Sequence, residues 1–196
     1  MKFNVEKCKV MFLGKHNNKA KYELHGKELD EIVEEKDLGV FFDNKFKAGI
    51  NCFKAAKKGN KILGMIKRTF ECRSKCVIVN LYKSLVRPHV EYCIQAWRSH
   101  YKKDIDVLEK VQRRATRMIE GCGEMDYERR LKHTRLTTLE TRRERADLLE
   151  VYKILNGIRL GRERFFIRDK GRGRGHDFKL FKKRVQIYIA KYSFRN

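Results

Sequence analysis

The feature that most limits what this chain can fold into is residues 77–119, VIVNLYKSLVRPHVEYCIQAWRSHYKKDIDVLEKVQRRATRMI. Apolar side chains arrive in pairs four residues apart: Val77/Ile78, Leu81/Tyr82, Leu85/Val86, then Val90, Cys93/Ile94 and Trp97. That spacing keeps one face of an α-helix continuously apolar. A second run, Ile105, Leu108, Val111, Ala115 and Met118/Ile119, has the three-and-four spacing of a partner helix. Its other face carries Lys110, Arg113, Arg114 and Arg117. The stretch therefore offers one side to a core and the other to something negatively charged, and it holds no obvious chemical group.

The rest of the chain divides around it. Residues 9–13 (KVMFL) read as a strand and residues 14–19 as its turn, rich in Asn and Gly. Residues 20–24 and 27–32 look like a hairpin around His25-Gly26, and Leu38 to Phe42 is a third apolar patch, closed by Asp43-Asn44. Together these predict a small antiparallel β element that needs helices or further chain to be stable. From Phe46 the period is helical through Ile50, Phe53, Ala56, Ile62/Leu63, Ile66 and Phe70, with Lys54, Lys57, Lys58, Lys61 and Lys67 on the remaining surface. Gly59 and Gly64 weaken this helix, each by roughly 1 kcal/mol against Ala. Ser74 is placed to cap the next helix, and Pro88 to kink or break it, because proline removes the hydrogen bond to the Ser84 carbonyl. Asp104 is a candidate N-cap for the basic helix, which Gly121-Cys122-Gly123 ends. A short helical turn over 126–132 follows. Thr137 or Thr138 with Glu140 then opens a last helix running through Leu139, Ala146, Leu149, Tyr152 and Leu155 to Asn156-Gly157. Beyond it, residues 158–196 carry thirteen Lys or Arg and three acids, include the cationic GRGRG at 171–175, and alternate enough over 184–194 to suggest a strand. The fold class expected is α+β, mainly α: an N-terminal antiparallel β element, a helical bundle and a basic tail.

With 48 Lys and Arg against 25 acids, the 196 residues carry +23. Charge of that size speaks about partners rather than fold. The partner classes are nucleic acid, an anionic membrane surface or an acidic protein, and nucleic acid leads because the basic residues lie along helices and recur throughout. No apolar run approaches the length of about 20 residues that spans a bilayer, and the N-terminus has no signal-peptide cleavage site. Six scattered cysteines then read as reduced thiols, which points to an intracellular protein, nuclear or cytoplasmic, and not a secreted one. Cys72/Cys76 and His89/Cys93 lack the second pair that a tetrahedral zinc site needs. No phosphate-binding glycine loop and no Ser/His/Asp arrangement occurs, and the paired carboxylates lie in charged segments, so no complete active site is legible. The basic helices carry more weight. Arg113, Arg114 and Arg117, and again Arg142, Arg143 and Arg145, are placed for phosphate contact. The bland alternative pairs them with Glu109, Glu140 and Glu144 on solvated faces. Tyr82, Tyr92, Tyr101, Phe165, Phe166, Tyr188 and Tyr192 are the candidates for base stacking, although Tyr82 suits a core better.

Specific wording goes further than pattern. LYKSLVRPHVEYCIQAW followed by HYKKDIDVLEKVQRRATRMI resembles the C-terminal, thumb-side region of reverse transcriptases from LINE-type (non-LTR) retrotransposons, closest to the chicken-repeat and jockey-like group. FNVEKCKVMFLG resembles the family's motif D, EEKDLGV its motif E or primer grip, and ERFF with GHDFKLFKKR the segment beyond the thumb. The resemblance covers nearly the whole chain. It implies a palm remnant over 1–45, a thumb-like helical domain over 46–157 and a basic extension over 158–196. Lys7 matches the motif D lysine, a general acid toward the leaving pyrophosphate in a full-length polymerase. Lys36, Asp37, Leu38 and Gly39 match the turn that holds the primer end. Lys57, Lys58, Arg113, Arg114 and Arg117 fall where the thumb grips template and primer by their backbones. The aspartates of motifs A and C lie upstream of motif D in the family, and no Asp-Asp pair occurs here. The resemblance thus implies a truncated, element-derived reading frame opening at an internal methionine. Such a chain holds no metal or other cofactor itself, Mg²⁺ belonging only to the full-length enzyme. Its partners would be RNA or an RNA–DNA duplex, bound without sequence preference and without a membrane, with self-association through a palm-facing surface. A helical protein-interaction module, or a non-functional relic of a mobile element, is the alternative.

Overall fold

The helical period that opens after Phe46 becomes α1, Gly49–Thr69, in a computed structural model that describes residues 3–14, 17–97, 99–158, 166–167, 179–181 and 184. The helix starts three residues after Phe46, which itself sits in a left-handed turn (φ +50°) with Asp43 Oδ1 accepting from the Lys47 N–H at 2.6 Å. Cys52, Ala56, Gly59, Leu63 and Ile66 line its buried face. Burial pushes the Cys52 thiol up to about 12, with the nearby Asp104 carboxylate adding to the shift.

The apolar run that follows is not one helix. It is divided into α2 (Lys75–Leu81), a π-helical turn (Tyr82–Val86), α3 (Arg87–Glu91) and α4 (Ile94–Trp97). Two physical causes act here. The buried residues Ile78, Tyr82, Val86, Val90 and Ile94 repeat every four residues, and on a helix of 3.6 residues per turn each such step drifts by about 40°. The wider π turn absorbs that drift and keeps the stripe on the core. Pro88 acts at the same place. It has no N–H to return to the preceding turn, and the neighbouring Arg87 N–H reaches five residues back to the Tyr82 carbonyl. The second interruption, at Tyr92-Cys93, has no proline. Cys93 is left-handed (φ +52°) and the Trp97 indole donates to the Tyr92 carbonyl at 2.8 Å. His89 and Cys93, which spacing put on one face, are separated, His89 lying in α3 and Cys93 in the break itself.

Helix α5, Lys102–Arg117, buries Leu108, Val111 and Ala115 as expected. Asp104 is not its N-cap. That position belongs to Tyr101, and Asp104 is buried in the first turn, where its Oδ2 accepts from Ser99 Oγ at 2.7 Å. Asp126 caps α6 (Tyr127–Thr134) by accepting from the Arg129 N–H at 2.7 Å, and Thr138 caps α7 (Leu139–Leu155) by accepting from the Thr141 N–H at 3.1 Å. The expected interior of α7 is only partly core: Leu139 and Ile154 are buried, whereas Leu149 and Tyr152 are exposed.

Helices α1 and α5 form the main contact, and Gly59 lets them meet. A Cβ there would stand 3.1 Å from Val111 Cγ1, 3.3 Å from Val90 Cγ1 and 3.5 Å from Val86 Cγ1, so three elements close on one position without a side chain. Gly49 lies beside Asp104 and Asn60 beside Arg114, so the two helices run in the same direction.

The N-terminal part is β-structured but slighter than expected. After a 3-10 turn, Val5–Lys7, come β1 (Lys9–Val10), β2 (Glu23–Leu24), β3 (Lys27–Glu28), β4 (Asp30–Glu31), β5 (Glu34–Asp37) and β6 (Val40–Asp43). They form three two-stranded pairs. β2–β3 and β5–β6 are antiparallel, while β1–β4 is parallel, which corrects the all-antiparallel expectation. The β5–β6 hairpin is tied to α1. Asn51 Oδ1 accepts from the Phe41 N–H at 2.9 Å and its Nδ2 donates to the Phe41 carbonyl at 2.6 Å, so one amide stands in for a neighbouring strand. The Lys54 ammonium lies 3.2 Å from the Phe41 ring centroid and bonds Glu34. The strand expected over 184–194 and the GRGRG segment lie, apart from Arg184, outside the described residues.

Two glycines in the interior of α1, Gly59 and Gly64, are expected to respond oppositely to substitution. Gly59→Val should lower unfolding free energy by about 1–3 kcal/mol through overpacking. Gly64→Ala, where a Cβ would meet only Arg68 Nη1 at 3.8 Å, should raise it by up to about 1 kcal/mol. Urea unfolding of the two variants checks both signs.

Candidate nucleic-acid interface

Burying Leu108, Val111 and Ala115 against α1 leaves α5 with one orientation, and its basic side chains face outward. Lys110, Arg113, Arg114 and Arg117 are all exposed. Arg114 Nη1 donates to Asn60 Oδ1 of α1 at 3.3 Å, which joins the α5 ridge to the flank of α1 that carries Lys57 and, one turn on, Lys61. Both lysines are exposed. These six cations form a face across two packed helices, with the half-buried Asp106 as the acid on the exposed side of α5. Lys58 is not on it. One residue on from Lys57, it turns to the opposite flank, beside His89 of α3, where burial first and the Lys58 charge second hold the imidazole below its ordinary pKa.

The remaining predicted positions form a second group. Lys36 and Asp37 end β5, and Leu38 and Gly39 are the two residues of the hairpin turn, both left-handed (φ +45° and +86°). That geometry matches the right-handed twist of paired strands. It suits Gly39 and costs about 1–2 kcal/mol at Leu38. Tyr92 holds the tip, donating its phenol O–H to the Leu38 carbonyl at 2.9 Å, and its ring lies against Gly39, where a Cβ would be 3.2 Å from the ring edge. Leu38 is 83% exposed. Lys7 is exposed at the end of the 3-10 turn, and the Lys9–Glu35 ion pair at 3.7 Å links that segment to the hairpin. The structure thus brings Lys57, Arg113, Arg114 and Arg117 together and holds Lys36, Asp37, Leu38 and Gly39 in one turn. It does not join Lys7 or Lys58 to the α5 ridge.

The second basic cluster is corrected. Arg142 makes a two-point ion pair with Glu91, its Nη2 3.0 Å from Oε2, and this contact together with burial sets its role as a clamp between α7 and α3. Arg143 is buried, only 4% exposed. Of the three arginines only Arg145 is exposed. Tyr92 and Tyr101 are exposed, Phe166 is half-buried and Tyr82 is core, while Phe165, Tyr188 and Tyr192 lie outside the described residues.

Beneath the α5 ridge lies a polar network that pattern reading missed. Gln112 is fully buried, accepting from the Tyr82 phenol at 2.9 Å. Its amide nitrogen donates to Tyr127 Oη at 2.9 Å and the Thr137 carbonyl at 3.0 Å, with Glu109 Oε1 at 3.3 Å. Tyr127 donates to Glu109, whose other oxygen accepts from the Leu139 N–H at 2.9 Å, the first residue of α7. Glu109 is therefore no solvated counter-ion but a buried carboxylate at a helix N-terminus, where negative charge is favoured. Burial first, then the Glu91 and Glu109 carboxylates, push the Tyr82 phenol well above its ordinary range; burial and the Glu109 hydrogen bond do the same to Tyr127. Both stay protonated donors. Among the described residues no group of three or more His, Cys, Asp or Glu is placed to hold a metal ion, and no helix is long and apolar enough to cross a membrane. Comparison with protein-family models, with curated proteins and with solved structures finds no match.

Glu109→Ala should cost about 3 kcal/mol, because it strands the buried Leu139 N–H and leaves the Tyr127 hydroxyl without its acceptor. The exposed Glu140→Ala should stay within about 0.5 kcal/mol. Equal effects in chemical unfolding would return Glu109 to the surface.

Proposed function

We propose that this chain is a nucleic-acid-gripping unit, the thumb-like part of a non-LTR retrotransposon reverse transcriptase. In this reading it holds an RNA or RNA–DNA duplex by its backbone and does not polymerise alone. The observation that carries the reading is the six-cation face of Lys57, Lys61, Lys110, Arg113, Arg114 and Arg117, mounted on the α1–α5 core. Lys110 to Arg117 covers about 10 Å of helix axis at 1.5 Å per residue. A duplex presents about six phosphates over that distance, both strands counted, so cations and phosphates match in density. Such contacts position a duplex without reading its sequence. The order of elements, a tight hairpin at 34–43 followed by a helical bundle, agrees with the primer grip and thumb that the resemblance implies. Lys7 as a general acid, and Lys36 to Gly39 as a primer contact, belong to this proposal. Catalysis does not, because the sequence contains no Asp-Asp pair to hold two magnesium ions.

A second reading, a helical protein-interaction module, has one observation in its favour. Leu148, Leu149 and Tyr152 of α7 are 70%, 58% and 60% exposed on neighbouring turns, and contiguous apolar surface favours association. Sedimentation at low and high salt separates the two readings, since apolar association survives salt and phosphate contact does not.

With six phosphates neutralised, log K for a duplex should fall against log salt with a slope near −5. Replacing Arg113, Arg114 and Arg117 together by Ala should flatten that slope by about 2.7, at about 0.9 per contact. A salt-independent affinity, or an unchanged slope in the triple variant, contradicts the proposal. Template–primer, dNTPs and Mg²⁺ supplied to the purified chain should yield no primer extension; extension would overturn the claim that it does not polymerise alone.

A further inference from the structure

The four cations of the α5 ridge, Lys110, Arg113, Arg114 and Arg117, are not equivalent. The Arg113 guanidinium carbon lies 4.9 Å from the centroid of the Tyr127 ring, and Arg130 lies 5.6 Å from the same centroid. The ring is anchored from below. Its phenol donates to Glu109 and accepts from Gln112 at 2.9 Å, and both of those partners are buried. Arg130 is itself buried, with its Nε donating to Thr116 Oγ1 at 3.1 Å and Nη1 donating to the Met125 carbonyl. Two guanidinium groups, those of Arg113 and Arg130, thus lie against one fixed ring, and Arg117 stands near enough to oppose the Arg130 charge. The acid beside them, Asp126, is paired with Arg129 at 3.3 Å.

We propose that Tyr127 is a positioning residue that stacks Arg113 in place, which makes Arg113 the principal phosphate contact of the α5 ridge. This rests on the nucleic-acid-binding reading above. A guanidinium stacked on a ring uses its face and keeps its in-plane N–H groups for the two oxygens of a phosphodiester. Its rotamer freedom is then lost before the ligand arrives, so less remains to be lost on binding. Arg114 differs: one of its donors is already engaged by Asn60. Lysine cannot replace Arg113, since an ammonium on a flexible stem offers neither the planar stack nor the fork.

The test uses the full chain and a 20-base-pair RNA–DNA hybrid, followed by fluorescence anisotropy across a salt series. R113K, R114K and R117K each keep the charge and should leave the salt slope unchanged. R113K should weaken binding roughly fivefold, the scale of one exposed cation–π contact with its ordering. R114K and R117K should stay within about twofold. Y127F keeps the ring but removes its anchor to Glu109 and Gln112, and should weaken binding by less than Y127L. Y127L should match R113K and add nothing in the R113K background. A merely structural role for Tyr127 would instead weaken all variants alike and add to R113K. Should Y127L fail to fold, the comparison of R113K with R114K decides alone. Equal losses for those two lysine variants, or additive R113K and Y127L effects, overturn the inference while leaving the binding function intact. An unaltered protein that does not bind the hybrid overturns both.

Discussion

The close approach at Gly59, where a Cβ would stand 3.1 Å from Val111 Cγ1, is the constraint on which the rest depends. Val86, Val90 and Val111 converge where α1 has no side chain, so α1, the π turn with α3, and α5 share one line of contact. A larger residue there would push α5 away from α1 by the width of a methyl group, and close-packed interiors do not absorb such a shift cheaply. With α5 seated this way its rotation is no longer free. Leu108, Val111 and Ala115 must face inward, and Lys110, Arg113, Arg114 and Arg117 are left facing out. The basic face is a consequence of the core as much as of the sequence that lines it.

The second determinant is the buried polar network around Gln112 and Glu109. It links the π turn through Tyr82, α6 through Tyr127 and α7 through the Leu139 N–H, so three separate elements report to two neighbouring turns of α5. Buried polar groups of this kind cost free energy unless all are satisfied, and they favour one arrangement when they are. The network also reaches the surface. By fixing Tyr127 it fixes what stacks on Tyr127, so core specificity and the presentation of Arg113 are properties of the same residues.

Much of this was legible in the sequence. The helical period after Phe46, the amphipathic α5, the interruption at Pro88, the short helix beginning near Asp126, the helix start at Thr137 or Thr138 and the hairpin around His25-Gly26 all follow local rules of spacing and backbone preference. What escaped depends on contacts far along the chain. Glu109, Gln112, Arg130 and Arg143 look like surface residues by type, and their burial is decided by partners up to thirty residues away, as in the Tyr82–Gln112 and Glu109–Leu139 bonds. The four-residue repeat from Ile78 to Ile94 was visible, but its drift on an ideal helix, and hence the π turn, shows only once all five side chains must meet one core. Leu149 and Tyr152 failed in the other direction. Their spacing suits a core, and the described bundle covers only part of α7. At the candidate interface, sequence found the α5 arginines but not that Arg142 and Arg143 are withdrawn from it, since the Glu91 clamp joins residues 51 apart.

The most direct test of a duplex lying on the α1–α5 face is lysine acetylation, read by mass spectrometry, with and without saturating RNA–DNA hybrid. Lys57, Lys61 and Lys110 should become protected, while Lys27 of the β2–β3 hairpin, also exposed and outside that face, should react at the same rate in both samples. Uniform protection of all four, or protection of Lys27 with Lys57, Lys61 and Lys110 unchanged, would contradict the assignment.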